Sequence, residues 1–207
     1  MKIAKQGYRF IIGGLVVGAA GIALGRLGLG FGPLGLAFAA FSAFFFRDPE
    51  RALPSDPDKI YSPADGRVLS VAREGSGDVV TMRIFLSIFD VHVQRFPCSG
   101  KVGKIVHQPG GFAMAMDAEA RTNERCAMRI DPGGGREPLT VEQIAGYIAR
   151  RIECWPAQGD PARAGERYGI IYFGSQAAVY FPKGSLPTAK PGDVVCAGLT
   201  EIGLWTA

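Results

Sequence analysis

Histidine is scarce in this chain: His92 and His107 are the only two among 207 residues. Any acid–base role for imidazole near neutral pH therefore falls to one of two positions. Cysteine is sparse and scattered. Cys98, Cys126, Cys154 and Cys196 form no Cys-x-x-Cys pair, so the spacing offers neither a zinc ligand set nor a redox dithiol motif. Free thiols in a reducing compartment are expected, and no metal site. Charge is also low. Charged residues make up 20% of the chain against 47% hydrophobic ones, which excludes a disordered protein. No internal repeat of the solenoid kind is present. The net charge of +4 points to an anionic partner: a nucleic acid, an anionic bilayer or a phosphorylated substrate.

What the chain does have is a pair of long apolar runs at its start, Phe10–Gly25 and Leu27–Phe46, separated by Arg26. Lys2, Lys5 and Arg9 precede the pair, and Arg47 and Arg51 follow it. Three readings compete. A secretory signal needs a basic start, an apolar stretch and small residues at a cleavage point, and Ala39-Ala40 mimics the last. A single span is the second, since the run from Leu27 is about as long as a bilayer requires. The third is a hairpin or monotopic anchor, favoured by basic residues on both flanks, which place both ends on the cytoplasmic side. The expected organisation is an anchor over residues 1–46 and a catalytic domain over residues 47–207.

From Arg47 onward the pattern is that of strands. Arg67–Val71, Val79–Phe89, Lys101–His107 and the β-rich run Tyr168–Phe181 are candidates, and Val194–Cys196 begins a last short pair. Val141–Trp155 is ambiguous: Val141, Ile144, Ala145 and Ile148 fit a helix face that Gly146 weakens. Phe112–Glu124 is the better helix candidate.

Four stretches carry candidate chemistry. In Phe173-Gly174-Ser175-Gln176, a serine hydroxyl next to an unobstructed glycine carbonyl can attack it. The ester so formed eliminates across the Cα–Cβ bond of Ser175, and hydrolysis leaves a pyruvoyl ketone at a new N-terminus. Such a ketone captures a substrate amine and acts as an electron sink. The bland alternative is a strand serine bonded to backbone. Ser62-Pro63-Ala64-Asp65-Gly66 signals a turn, whose aspartate can also orient a histidine. In Asp90-Val91-His92-Val93-Gln94-Arg95-Phe96-Pro97, a strand would set Asp90, His92 and Gln94 on one face, with His92 as a general acid–base group or a structural imidazole. Asn123-Glu124-Arg125 and Arg150-Arg151 are either a solvated surface or guanidinium sites for phosphate or carboxylate.

Taken in order, Phe45-Phe46-Arg47-Asp48-Pro49-Glu50-Arg51, Ser62–Val68, Asp90–Pro97, His107–Phe112, Asn123–Arg125, Gln143–Gly146 with Ala149–Arg151, and Phe173–Ser175 resemble the short, archaeal-type form of the phosphatidylserine decarboxylase family. The resemblance runs from about residue 45 to about residue 203. It implies a β-rich α+β fold with antiparallel, barrel-like sheets and an apolar helical anchor at the N-terminus. It also implies self-cleavage between Gly174 and Ser175, a pyruvoyl cofactor made from Ser175, and two chains that stay paired. The substrate would be phosphatidylserine in a cell membrane, with the catalytic domain on the cytoplasmic side and no nucleic acid partner. Self-association is left open.

Carried over residue by residue, Asp65 and Ser175 match the family's self-cleavage groups. His92 is the expected proton donor to the carbanion left by carbon dioxide. The chain departs from the family where Arg95 stands in place of a second histidine, and Gln176 in place of an arginine common in short forms. His107, Asn123, Arg125 and Arg151 are candidate substrate contacts. Two alternatives remain at this level: a non-catalytic lipid-binding relative, and the same chemistry on another serine-headed lipid, archaetidylserine. Pro63–Val68 and Pro191–Gly198 also resemble the halves of a lipoyl-carrier barrel, but no lysine occupies the required hairpin tip.

Overall fold

The computed structural model describes residues 2–74, 79–111, 122–146, 151–172 and 175–206, with the side chains of Arg26, Leu27 and Ser175 left aside. Gly174 and residues 112–121 of the expected helix lie outside them. The chain divides into two compact units, Met1–Glu50 and Arg51–Ala207.

In the first unit, helices α1 (Tyr8–Ala23) and α2 (Phe31–Phe45) run antiparallel, and the short strands β1 (Lys2–Ile3) and β2 (Arg47–Asp48) pair at their open end. Both ends of the hairpin therefore emerge together. Its packing inverts the soluble pattern. The buried positions of α1 are Gly14, Gly18 and Gly21, while Ile12, Val16, Ile22, Phe31 and Leu34 are exposed. A Cβ on Gly21 would stand 2.3 Å from the Gly32 nitrogen, and one on Gly35 2.4 Å from the Gly18 nitrogen. The two backbones thus touch through a stripe of small residues, as membrane helices do when outward apolar side chains have lipid to face. Residues Lys5–Ala23 form the one helical stretch among the described residues long and apolar enough to cross a membrane.

The second unit is β-rich, as expected. Its strands are β3 (Lys59–Tyr61), β4 (Gly66–Arg73), β5 (Val80–Leu86), β6 (Val93–Arg95), β7 (Gly100–Gln108), β8 (Arg125–Asp131), β9 (Leu139–Ile144), β10 (Ile152–Cys154), β11 (Pro161–Ala162), β12 (Arg167–Ile171), β13 (Ser175–Phe181), β14 (Ser185–Pro187), β15 (Val194–Val195) and β16 (Glu201–Trp205). Eight of them form one curled antiparallel half-barrel in the order β11-β7-β8-β9-β13-β5-β4-β15. Two three-stranded sheets, β10-β12-β6 and β14-β16-β3, complete the fold. Period-two alternation builds the core: Met82, Ile84 and Leu86, Met128 and Ile130, and Ala177 and Val179 all join one buried cluster.

Three local readings change. Val141–Ile144 is strand, not helix; its cross-strand neighbours on both sides, β8 and β13, override the weak helical period. The run Tyr168–Phe181 is two strands in different sheets. Asp90 lies in a turn before β6, where its carboxylate accepts the Ser87 N–H at 2.8 Å, so it shares no strand face with His92 and Gln94.

Candidate active site

Strand register gathers Asp65, Ser175, Asn123 and Arg125 at one end of the half-barrel. Ser175 opens β13 opposite Leu86 of β5. Val195 opposes Gly66, the residue after Asp65. On the other side Gln176 opposes Ile144, and Arg125 opposes Ile144 from β8. Thus β15, β4, β5, β13, β9 and β8 bring Asp65, Ser175, Asn123 and Arg125 to neighbouring rows. Gly66 is required there. Its φ is 145°, and a Cβ would stand 2.0 Å from the Phe85 carbonyl oxygen.

Asp65 is held by a partner that sequence spacing does not reveal. Arg51 donates to both carboxylate oxygens, at 2.6 and 2.7 Å. The same guanidinium donates to the Ala197 carbonyl at 2.7 Å, and the Ala197 N–H donates to Asp65 Oδ1 at 2.7 Å. Only 9% of the Arg51 side chain and 13% of that of Asp65 is exposed, so the bidentate pair is shielded from solvent screening. Arg51 lies in the stretch Phe45–Arg51, but nothing in that motif names its target.

His92 is fully buried just before β6. Its Nδ1 lies 3.0 Å from the Asp90 carbonyl oxygen. A carbonyl only accepts, so Nδ1 is the donor in this contact and Nε2 is the acceptor nitrogen of the neutral ring. The Ile171 N–H donates to the His92 carbonyl at 3.4 Å, which fixes His92 against the strand that leads toward Ser175. The Arg95 N–H donates to Pro63 O at 2.9 Å, tying this segment to the Asp65 turn. Arg95, in the place of a second histidine, is buried and donates to Gly165 O at 2.7 Å. Gln94 accepts from the Tyr168 hydroxyl at 2.5 Å. Burial pushes the Tyr168 phenol well above its ordinary range, so it stays a neutral donor.

The candidate substrate contacts are more dispersed. Asn123 is buried and donates to Ala145 O at 2.8 Å, closing the ends of β8 and β9. Arg125 faces away from the core and lies 3.6 Å from Glu142, which also accepts from Tyr180. His107 is exposed beside Cys126. Arg151 pairs with Glu153 at 3.1 Å, and Glu153 accepts from the Tyr172 hydroxyl at 2.7 Å. Tyr172, which carried no signal in the sequence, is buried and anchors the chain two residues before Gly174.

The profile of the phosphatidylserine decarboxylase family matches residues 38–203. The chain belongs to the phosphatidylserine decarboxylase family. Among its relatives is a phosphatidylserine decarboxylase proenzyme of Granulibacter bethesdensis, 44% identical over 202 residues, covering 93% of this chain and 81% of the relative. Proenzymes of the same description from Symbiobacterium thermophilum and Desulfotalea psychrophila are 44% and 39% identical. They cover 80% and 79% of this chain respectively, and 79% of each relative. Members of this family are pyruvoyl-dependent lyases made as proenzymes.

Proposed function

We propose that this chain is the self-cleaving proenzyme of a short-form phosphatidylserine decarboxylase, cut between Gly174 and Ser175. The observation that supports the reading is that Ser175 and the Asp65 turn meet at one end of the half-barrel, with the His92 segment tied to that turn through Pro63 and to β12 through Ile171. The residues fit a pyruvoyl group: Ser175 begins a strand paired on both sides, so the ketone formed there would be fixed in place by backbone bonds. In self-cleavage the Ser175 hydroxyl oxygen attacks the Gly174 carbonyl carbon and the C–N bond between them breaks, giving an ester. Elimination frees the residue 1–174 carboxylate, and hydrolysis of the dehydroalanine releases ammonia. The Asp65–Arg51 pair holds the turn beside β4 and β15 during these steps. Once formed, the pyruvoyl group supplies the electron sink for loss of carbon dioxide from the substrate. His92, through Nε2, then gives a proton to the substrate carbon that lost it.

The N-terminal hairpin brings the site to a lipid that does not leave its bilayer. Basic residues at the shared open end, Lys2, Lys5, Arg9 and Arg47, favour the cytoplasmic side.

Intact-mass measurement under denaturing conditions tests the reading. Fragments 1–174 and 175–207 are expected, the second about 17 Da lighter than its serine-headed sequence because amine becomes ketone. A single species near 22.0 kDa, unchanged on long incubation, would refute it. Carbon dioxide release from vesicles of phosphatidylserine compared with archaetidylserine then separates the two serine-headed lipids.

A further inference from the structure

Two loops leave the half-barrel at the end where Ser175 sits, and both expose apolar side chains. Val195 opposes Gly66, and Leu86 opposes Ser175. With β4 and β5 antiparallel, residues 87–90 after β5 and residues 196–200 after β15 both lie beyond that row. Phe89 is 65% exposed in the first loop and Leu199 50% in the second. Leu53, also exposed, joins them. A Cβ on Gly198 would stand 3.0 Å from the Gly165 Cα, and one on Gly165 3.3 Å from the Leu53 Cδ2. Three separate stretches of sequence thus bring apolar residues to one end of the β-domain.

Exposed loops ordinarily leave backbone groups to water. These two keep their N–H groups for the protein. Across residues 196–200 every N–H has an internal acceptor. Cys196 donates to Thr200 Oγ1 at 2.9 Å, Ala197 to Asp65 Oδ1 at 2.7 Å and Gly198 to Ser62 O at 2.7 Å. Leu199 and Thr200 donate to Cys196 O at 3.1 and 3.0 Å. In the other loop, Ser87 donates to Asp90 Oδ2 at 2.8 Å, Phe89 to Ser87 Oγ at 3.2 Å and Asp90 to Ser87 O at 2.8 Å. Loops satisfied in this way lose little when water is withdrawn from their tips, which is the condition for entering a lipid interface. A protein seated here would shut the end of the half-barrel where substrate reaches Ser175. A bilayer brings the substrate with it.

We propose that Phe89, Leu199 and Leu53 form a rim by which the β-domain itself docks on a lipid bilayer, so that a lipid headgroup meets Ser175 while its acyl chains stay in the membrane. The rim enters only as far as the boundary between headgroups and acyl chains. It belongs to the unit Arg51–Ala207, not to the N-terminal hairpin, and gives the β-domain a membrane contact of its own. The inference rests on the lipid decarboxylase reading for what the bilayer delivers.

The test reads position and turnover separately. An environment-sensitive fluorophore is attached through Phe89→Cys, Leu199→Cys or, as control, Leu186→Cys, at an exposed position of β14 in another sheet. The host is the full chain carrying Ser175→Ala, Cys154→Ser and Cys196→Ser, so the signal needs no self-cleavage, and the remaining Cys98 and Cys126 are buried. In vesicles of phosphatidylserine and phosphatidylcholine, nitroxides on the acyl chains should quench the labels at positions 89 and 199 and spare the one at 186. Equal quenching at all three positions, or none at 89 and 199, would overturn the proposal. In the processed wild-type background, Phe89→Ser combined with Leu199→Ser should lower turnover on vesicles at least about tenfold and leave turnover of dispersed short-chain phosphatidylserine unchanged. A fall of the same size on both substrates, or none on vesicles, would also overturn it. A wild-type chain that releases carbon dioxide from neither substrate would refute the decarboxylase reading, with the quenching pattern still deciding the rim.

Discussion

Replacing Arg51 by alanine should be among the most damaging single changes outside the apolar core. The substitution removes two hydrogen bonds to Asp65 and one to the Ala197 carbonyl, among others. It leaves the Asp65 carboxylate, only 13% exposed, with the Ala197 N–H as its remaining partner within this group. Breaking a buried ion pair by deleting one member costs about 3–5 kcal/mol. The retained N–H and the residual exposure place the expected loss at the lower end, about 3 kcal/mol. For a chain of this size that corresponds to a fall in melting temperature of roughly 6–12 °C. The assay is thermal unfolding in detergent, in a Ser175→Ala background so that every molecule remains one chain. Arg51→Lys should fall between, because an ammonium keeps the charge but loses the planar fork. In a double-mutant cycle, adding Asp65→Ala to Arg51→Ala should cost much less than Asp65→Ala alone. A loss below about 1 kcal/mol, the size of an exposed pair, or a lysine variant as stable as wild type, would refute the reasoning.

Gly66→Ala should reduce the yield of folded protein or cost at least about 2 kcal/mol, since the added Cβ meets the Phe85 carbonyl; Gly192→Ala, with φ 96° but open space, should cost less in the same denaturation series. Tyr168→Phe should cost about 1–3 kcal/mol in urea unfolding, because the buried Gln94 oxygen loses that donor. Stability should fall with alkali. Burial raises the Cys98 thiol from 9.0 to about 12, so the folded state keeps a proton that the unfolded chain gives up above pH 9.0. That contribution is whole below 9.0 and is lost as pH rises toward about 12. Cys98→Ala should flatten the decline, measured as urea midpoints across that range.

Much of the β-domain was legible because its strands follow simple alternation bounded by turn residues. Arg67–Val71 and Lys101–His107 lie within β4 and β7, and most of Val79–Phe89 is β5. Val141–Ile144 stayed ambiguous because its side chains satisfy both periods, and only pairing with β8 and β13 decides between them. The glycine stripe of the hairpin was visible in composition but not in meaning. Along one chain Gly14, Gly18 and Gly21 look like helix breakers; only the facing Gly32 and Gly35 turn them into a contact surface. The site splits in the same way. Asp65, His92 and Ser175 stood out by residue type and order, whereas Arg51 and Tyr172 act through partners 14 and 19 residues away in sequence, a relation that local spacing does not encode.

The strand pairing has a consequence for how this molecule can be unmade. Strands β13, β14, β15 and β16 all follow Ser175, and between them they pair with β5, β9, β4 and β3, which precede it. Before the proposed cut at Gly174–Ser175, these contacts form within one chain and unfolding is a unimolecular event. After it, the same contacts join two molecules, so the melting temperature becomes dependent on concentration. Once separated, the short fragment must find its place between β5 and β9 from solution, as an unpaired strand facing two exposed sheet edges. The expected behaviour is a processed enzyme that tolerates heating up to its transition and does not return from beyond it, while the uncut Ser175→Ala chain refolds on cooling.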